Sequence, residues 1–212
     1  CNQQPYNGQV YVNSSPKNAV VTPQSNLGDN LNLQALGELV RSCQNAQQIE
    51  QKLNDPNTGI NNLDLNNDNQ VDYVTVTEYQ NNGVRGFSFT VDLGNGQKQE
   101  VATVELTANG SNQGTMNIVG NSTVYGANAY YTSNYLLTDL LIWHYLWFPH
   151  SFYYSPYHWG YYPSYYHPYA YSRYGYSNRV SRYTTTSHIT RTTRTISSSS
   201  PNKSLTSSVV NQ

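Results

Sequence analysis

All twelve acidic residues of this 212-residue chain precede Leu140, and seventeen of its 21 tyrosines lie between Tyr125 and Tyr183. Residues 1–139 set five bases (Lys17, Arg41, Lys52, Arg85, Lys98) against the twelve acids, a net charge of −7. Residues 140–212 hold no acid, six bases (Arg173, Arg179, Arg182, Arg191, Arg194, Lys203) and all five histidines, a net +6. The overall charge of −1 is therefore an average of two unlike parts. Such a split fits two halves that neutralise each other, or a basic aromatic tail that meets a partner. Only 11% of the residues are charged, against about 25% in ordinary soluble domains. With so little charge to solvate it, much of this surface is expected to be covered. The composition excludes an acidic or basic disordered chain and a Lys/Glu-coated enzyme surface. No run of about 20 apolar residues exists to form a membrane-spanning helix.

Residue 1 is cysteine. Cys1-Asn2-Gln3-Gln4-Pro5 leads into a polar Asn/Ser/Pro-rich stretch to about Asn30. That composition buries too little apolar surface to fold alone. The arrangement resembles the mature N-terminus of a bacterial lipoprotein, formed when a signal peptide is cleaved before the cysteine. The resemblance implies lipidation of Cys1 by palmitate-type acyl chains and attachment to a membrane through them. At roughly 0.8 kcal/mol per buried CH₂, several chains anchor durably. Asn rather than Asp at position 2 resembles the Gram-negative sorting pattern for the outer membrane. The other cysteine, Cys43, falls in an apolar helical pattern and reads as a buried small hydrophobe.

Residues 31–110 read as an α+β module. Leu33, Leu36, Leu39, Val40 and Cys43 recur at helical spacing, with Asn32 as N-cap. A second helix fits Ala46 to Leu53, capped by Asn45 with Gln48 at its third position. Three strands follow: Val71 to Gln80, Arg85 to Leu93 and Gln99 to Leu106. The turns between them are Asn81-Asn82-Gly83 and Gly94-Asn95-Gly96. A small helix pair on an antiparallel β-meander results, with a core just large enough to be stable alone.

One loop in this module carries chemistry. Asp64, Asn66, Asp68 and Asp72 place side-chain oxygens at positions 1, 3, 5 and 9, and Gln70 at position 7 offers its carbonyl. Calcium takes six to eight oxygen ligands, which such a loop supplies. The spacing resembles the calcium loops of dockerins and integrin-type repeats. It departs from an EF-hand, with Asn69 at position 6 and Thr75 at position 12. A weaker, structural calcium site completed by Glu78 or water is expected; an Asn/Asp turn without metal is the alternative. The stretch from Asn61 to Tyr79, with Arg85–Val91 and Gln99–Glu105, also resembles a segment of uncharacterised exported bacterial proteins. In these a D-x-N-x-D-x-x-x-D-Y loop leads into a β-meander. The resemblance implies no activity.

Residues 111–150 read as short β-like pieces (Met116 to Val119, Ser122 to Tyr125) and an apolar helix. Ser133 or Asn134 caps this helix, which runs from Leu136 to Phe148 and carries Trp143 and Trp147. It is too short to span a bilayer; it lies in a membrane interface, meets a partner, or covers the sheet.

Residues 151–212 are Tyr-, Pro-, His-, Ser- and Arg-rich. The prolines forbid a long helix or a central strand, so a largely irregular region is expected. Tyrosine makes broad contacts at low entropy cost. Tyr153, Tyr154, Tyr157, Trp159, Tyr161, Tyr162, Tyr165 and Tyr166, with Arg191 and Arg194 in a basic β-prone strip, are therefore the candidate partner-binding residues. They fit an envelope or surface protein, a second copy, or a polysaccharide; a disordered tail is the bland alternative. Nucleic acid suits a lipid-anchored chain poorly. The histidine spacings match no metal pattern, and no phosphate loop, GxSxG, HExxH or CxxC occurs. The expectation is therefore a non-enzymatic lipoprotein, structural or adaptor-like in an envelope assembly, with glycan binding as the alternative.

Overall fold

Asn32 ends the incoming chain and starts the first helix, because its side chain accepts a hydrogen bond from the Ala35 N–H at 2.9 Å. The computed structural model describes residues 30–205 and a short upstream strand, β1 (Gln9–Val10). Helix α1 (Leu33–Ser42) buries Leu33, Leu36, Leu39 and Val40. Helix α2 (Ala46–Leu53) is capped by Asn45, and Gln48 reaches back to the Gln44 N–H at 2.8 Å. Asn45 Oδ1 accepts the Gln48 N–H at 2.8 Å, a donor that the first turn leaves unpaired.

The sheet contains β2 (Val74–Asn81), β3 (Val84–Gly94), β4 (Gln97–Ala108), β5 (Gln113–Gly120), β6 (Tyr130–Leu136) and β8 (Thr190–Arg191), antiparallel throughout and in that spatial order. Asn82-Gly83 and Asn95-Gly96 make the first two turns with positive φ at both residues (47° and 80°; 53° and 73°). That conformation matches the strand twist and favours Asn-Gly. The remaining elements are one helical turn α3 (Ser122–Tyr125), a 3₁₀ turn (Leu137–Asp139), α4 (Leu141–Trp147), β7 (Tyr161–Tyr162), paired to β1, and α5 (Tyr176–Thr184). The fold is thus α+β, a helix pair preceding an antiparallel meander.

Alternation gives the sheet two unlike faces. Val74, Val76, Phe87, Phe89, Val104, Leu106, Met116 and Ile118 are buried on the helix side. Gly37 lets α1 sit close to this face, since a Cβ there would meet Ile118 Cδ1 and Ile189 Cδ1 at 2.5 Å. The opposite face presents Ser88, Thr90, Glu100, Thr103 and Glu105, and these are buried too. The chain end covers them: the Glu100 N–H donates to the Leu205 carbonyl at 2.9 Å, and Asn202 Nδ2 donates to Ser88 Oγ at 3.1 Å.

Three expectations are corrected. Ser122–Tyr125 is helical rather than β-like, because Asn121 caps the Thr123 N–H at 2.9 Å and Gly126 stops the turn at φ 73°. Residues 133–136 belong to a strand, and the helix starts only at Leu141. Pairing of Asn134 with Thr115 and of Leu136 with Gln113 outweighs the helical apolar pattern. The core does not close at residue 110. Tyr135, Leu140, Ile142, Leu146, Tyr176, Val180 and Ile189 belong to the same buried cluster as Leu31 and Phe87.

Candidate functional site

The Asp/Asn loop is built from its own carboxylates. Asp64 accepts the N–H groups of Asp68 and Asn69, both at 3.1 Å. Asn66 Oδ1 accepts the Asp68 N–H at 3.0 Å, Asp68 accepts the Gln70 N–H at 2.8 Å, and Asp72 accepts the Leu65 N–H at 2.6 Å. Asn67 and Asn69 take the left-handed conformation (φ 57° and 66°), which asparagine tolerates better than most residues. Burial lifts the Asp72 carboxyl well above its ordinary range, and the charges of Asp64 and Asp68 add to this. Burial also lifts Asp64, again reinforced by Asp68. The ion pairs Arg41–Glu38 and Lys98–Asp92 and the His150–Glu78 hydrogen bond lie elsewhere. Three carboxylates thus share one partly dry loop. A divalent cation would relieve that crowding. Among the described residues, however, no group of three or more Asp, Glu, His or Cys side chains stands in metal-holding geometry. To bind calcium, the carboxylates must exchange some backbone N–H partners for the ion.

The aromatic segment closes over this loop. The Val71 N–H donates to the Tyr169 carbonyl at 2.9 Å, and the Tyr171 N–H to the Asn69 carbonyl at 3.0 Å. Tyr166 Oη donates to the Val71 carbonyl at 2.9 Å. The Tyr73 ring, next to Asp72, meets the rings of Tyr157, Tyr162 and Tyr166 at centroid distances of 5.8, 5.4 and 4.8 Å. Such tilted and edge-on contacts suit the ring quadrupoles.

Five buried or nearly buried glutamates bind the two halves together. Glu50 accepts from Tyr73 Oη and Ser155 Oγ at 2.9 Å and from the Val76 N–H at 2.7 Å. Burial nevertheless pushes its carboxyl up to about 7. Glu78 engages Tyr145 Oη at 2.8 Å and His150 Nε2 at 2.7 Å. Glu38 accepts from Ser187 Oγ at 2.7 Å. Glu105 accepts from Tyr79 Oη at 2.7 Å and Ser198 Oγ at 3.2 Å. Glu100 accepts from Ser88 Oγ at 2.6 Å and also from Ser200 Oγ. Burial lifts the Glu100 carboxyl as well. Hydroxyl donors from the acid-free half therefore satisfy carboxylates that would be costly to bury alone.

The residues expected to bind partners are divided by this wrap. Tyr166 is buried, while Tyr153, Tyr157, Trp159, Tyr161 and Tyr162 are half-buried against their own chain. Trp143 and Trp147 stack at 3.5 Å, and the Arg85 guanidinium lies 4.8 Å from the Trp147 ring centroid. Tyr154, Tyr165, Arg191 and Arg194 remain exposed. Leu136, Leu141 (54% exposed) and Phe148 (64%) of the apolar run are exposed as well, as are Phe152 and Tyr154 (65%). Sequence reasoning missed a groove of about 510 Å³ lined by Gln44, Asn45, Gln47, Tyr145 and Ser151 to Tyr154. Cys43 is fully buried, and burial pushes its thiol up to about 11, in keeping with a packing role. Cys1 lies outside the described residues.

Compared with protein families, curated proteins and solved structures, the chain matches none.

Proposed function

We propose that this chain is a non-enzymatic lipoprotein of the bacterial outer membrane, anchored through Cys1 and acting as an adaptor or structural component of an envelope assembly. It groups with the exported bacterial proteins whose loop and meander it resembles. The exposure of Leu141, Phe148, Phe152 and Tyr154 carries this reading. Large apolar side chains left exposed within one short stretch of sequence mark a contact surface. The test is the triple variant Leu141→Ser, Phe148→Ser, Tyr154→Ser. These side chains are exposed, so melting should stay near wild type. Cross-linking to an envelope protein or to a second copy should be lost. Unchanged cross-linking sinks the adaptor reading.

Glycan binding is the second reading, favoured by the groove between Gln44, Gln47 and Tyr154. Ring faces and planar amides side by side suit a saccharide, and the groove volume lies within the range of ligand sites. Here Tyr154→Ser alone should abolish retention on envelope polysaccharide.

The Asp64–Asp72 loop is assigned a structural calcium ion held by Asp64, Asn66, Asp68, Asp72 and the Gln70 carbonyl. Calcium at neutral pH should raise the melting temperature by several degrees over EDTA, as mass action on the folded state requires. Equal melting in both solutions removes the ion from the account.

A further inference from the structure

Beyond β2 the chain lays one more extended segment against the sheet. Tyr154 stands antiparallel to Thr77. The Glu78 N–H donates to the Tyr153 carbonyl at 2.8 Å, and the Ser155 N–H to the Val76 carbonyl at 3.0 Å. In an antiparallel ladder, bonds made by both neighbours leave the residue between them facing outward. The Tyr154 N–H and C=O therefore both point away from β2. Neither has a hydrogen-bond partner among the described residues, and Tyr154 is exposed. The sheet thus ends on an open edge beside the groove of Gln44, Asn45 and Gln47.

An open edge is a template for another strand, and native proteins ordinarily block it with charge, proline or a bulge. Between Pro149 and Pro156 this edge holds no proline and no Asp, Glu, Lys or Arg. Those four charged types are absent from the whole stretch Leu140 to Ser172, so a second copy of this segment meets no like charge on it. The edge is also held in place. His150 Nε2 meets Glu78 Oε1 at 2.7 Å, the Tyr153 N–H donates to Glu78 Oε2 at 3.2 Å, and Ser155 Oγ donates to Glu50 at 2.9 Å. Little ordering cost is left for binding. One residue that presents both a donor and an acceptor is complementary to itself. Across a two-fold axis at Tyr154, the N–H of each copy meets the carbonyl of the other, which is the hydrogen-bonded pair of an antiparallel ladder.

We infer that this chain pairs with a second copy of itself, edge to edge and antiparallel about Tyr154, so that two sheets become one. Pro156, which has no N–H, ends the ladder. The inference rests on the reading of this region as a contact surface and names the partner.

Sedimentation equilibrium of the full chain tests it. A concentration-dependent dimer is expected; a monomer at every concentration up to about 1 mM, the weak end of specific association, overturns the inference. Tyr154→Pro removes the outward N–H and leaves the bonds to Val76 and Glu78 in place, the position at which an edge strand tolerates proline. It should melt like wild type and weaken the dimer by roughly tenfold or more, through loss of the central hydrogen bonds. An undiminished dimer overturns the pairing. Hydrogen exchange of the wild type needs no variant. The Tyr154 amide should slow on dimerisation, while the Ser155 amide is protected in monomer and dimer alike. Equal Tyr154 exchange in both states overturns the inference too. The underlying surface reading fails separately. A dimer lost in the triple serine variant but kept in Tyr154→Pro overturns the edge pairing alone. The reverse pattern supports the pairing and overturns the role given to the exposed side chains.

Discussion

Raising the pH from 4.5 to above 7 should remove about 3 kcal/mol of folding stability through Glu50, and Glu50→Gln should abolish that dependence. Glu50 is fully buried, and its carboxyl is raised from 4.5 to about 7 in the folded protein. Desolvation is the largest cause, and the donors Val76, Tyr73 and Ser155 only partly offset it. The folded state therefore holds this proton more tightly than the unfolded chain does. A carboxyl raised on folding contributes stability that is complete below the unfolded value and is lost as pH rises through the folded one. Glu100 is raised for the same reason and acts with the same sign. In a chain of this size, about 3 kcal/mol moves the melting temperature by on the order of 10 °C. In Glu50→Gln, an uncharged side chain of the same shape can accept from the Val76 N–H and donate to a hydroxyl. Thermal melts across this pH range should show wild type falling relative to the variant. Parallel curves would remove the buried, protonated carboxyl from the account.

The parts of this fold legible in the sequence are those whose signal lies within about ten residues. Asn32 and Asn45 cap helices because their own side chains reach N–H groups three residues on. Asn82-Gly83 and Asn95-Gly96 turn the chain because both residues accept positive φ. The Leu136 run misleads because apolar spacing does not reveal whether a backbone has a strand edge to pair with, and β5 offers one. The extent of the core was hidden for another reason. Val180 and Ile189 reach a cluster that begins at Leu31, and no local pattern marks a contact across so much chain.

The candidate sites divide in the same way. The Asp64–Asp72 stretch was legible as an Asp/Asn turn, and its carboxylates accept backbone N–H groups of the same loop. The tyrosines were legible as contact residues, but the surface they cover is largely their own chain. Serine and tyrosine hydroxyls carry no spacing code, so their pairing with Glu50, Glu78, Glu100 and Glu105 was invisible. Only the absence of acids after Asp139 pointed to it.

The account rests on the aromatic half being part of the fold rather than a tail hung from it. A chain ended at His150 removes Tyr166, Tyr176, Val180 and Ile189 from burial and takes the Ser155, Ser200 and Ser198 hydroxyls from Glu50, Glu100 and Glu105. Each apolar side chain contributes roughly 1.5–3 kcal/mol by burial. Together they rival the whole 5–15 kcal/mol that ordinarily holds a domain folded. Thermal unfolding of residues 1–150, followed by near-ultraviolet circular dichroism, is the most direct measurement. The account predicts no cooperative transition and no fixed aromatic signal. A sharp transition within a few degrees of the full chain would contradict it.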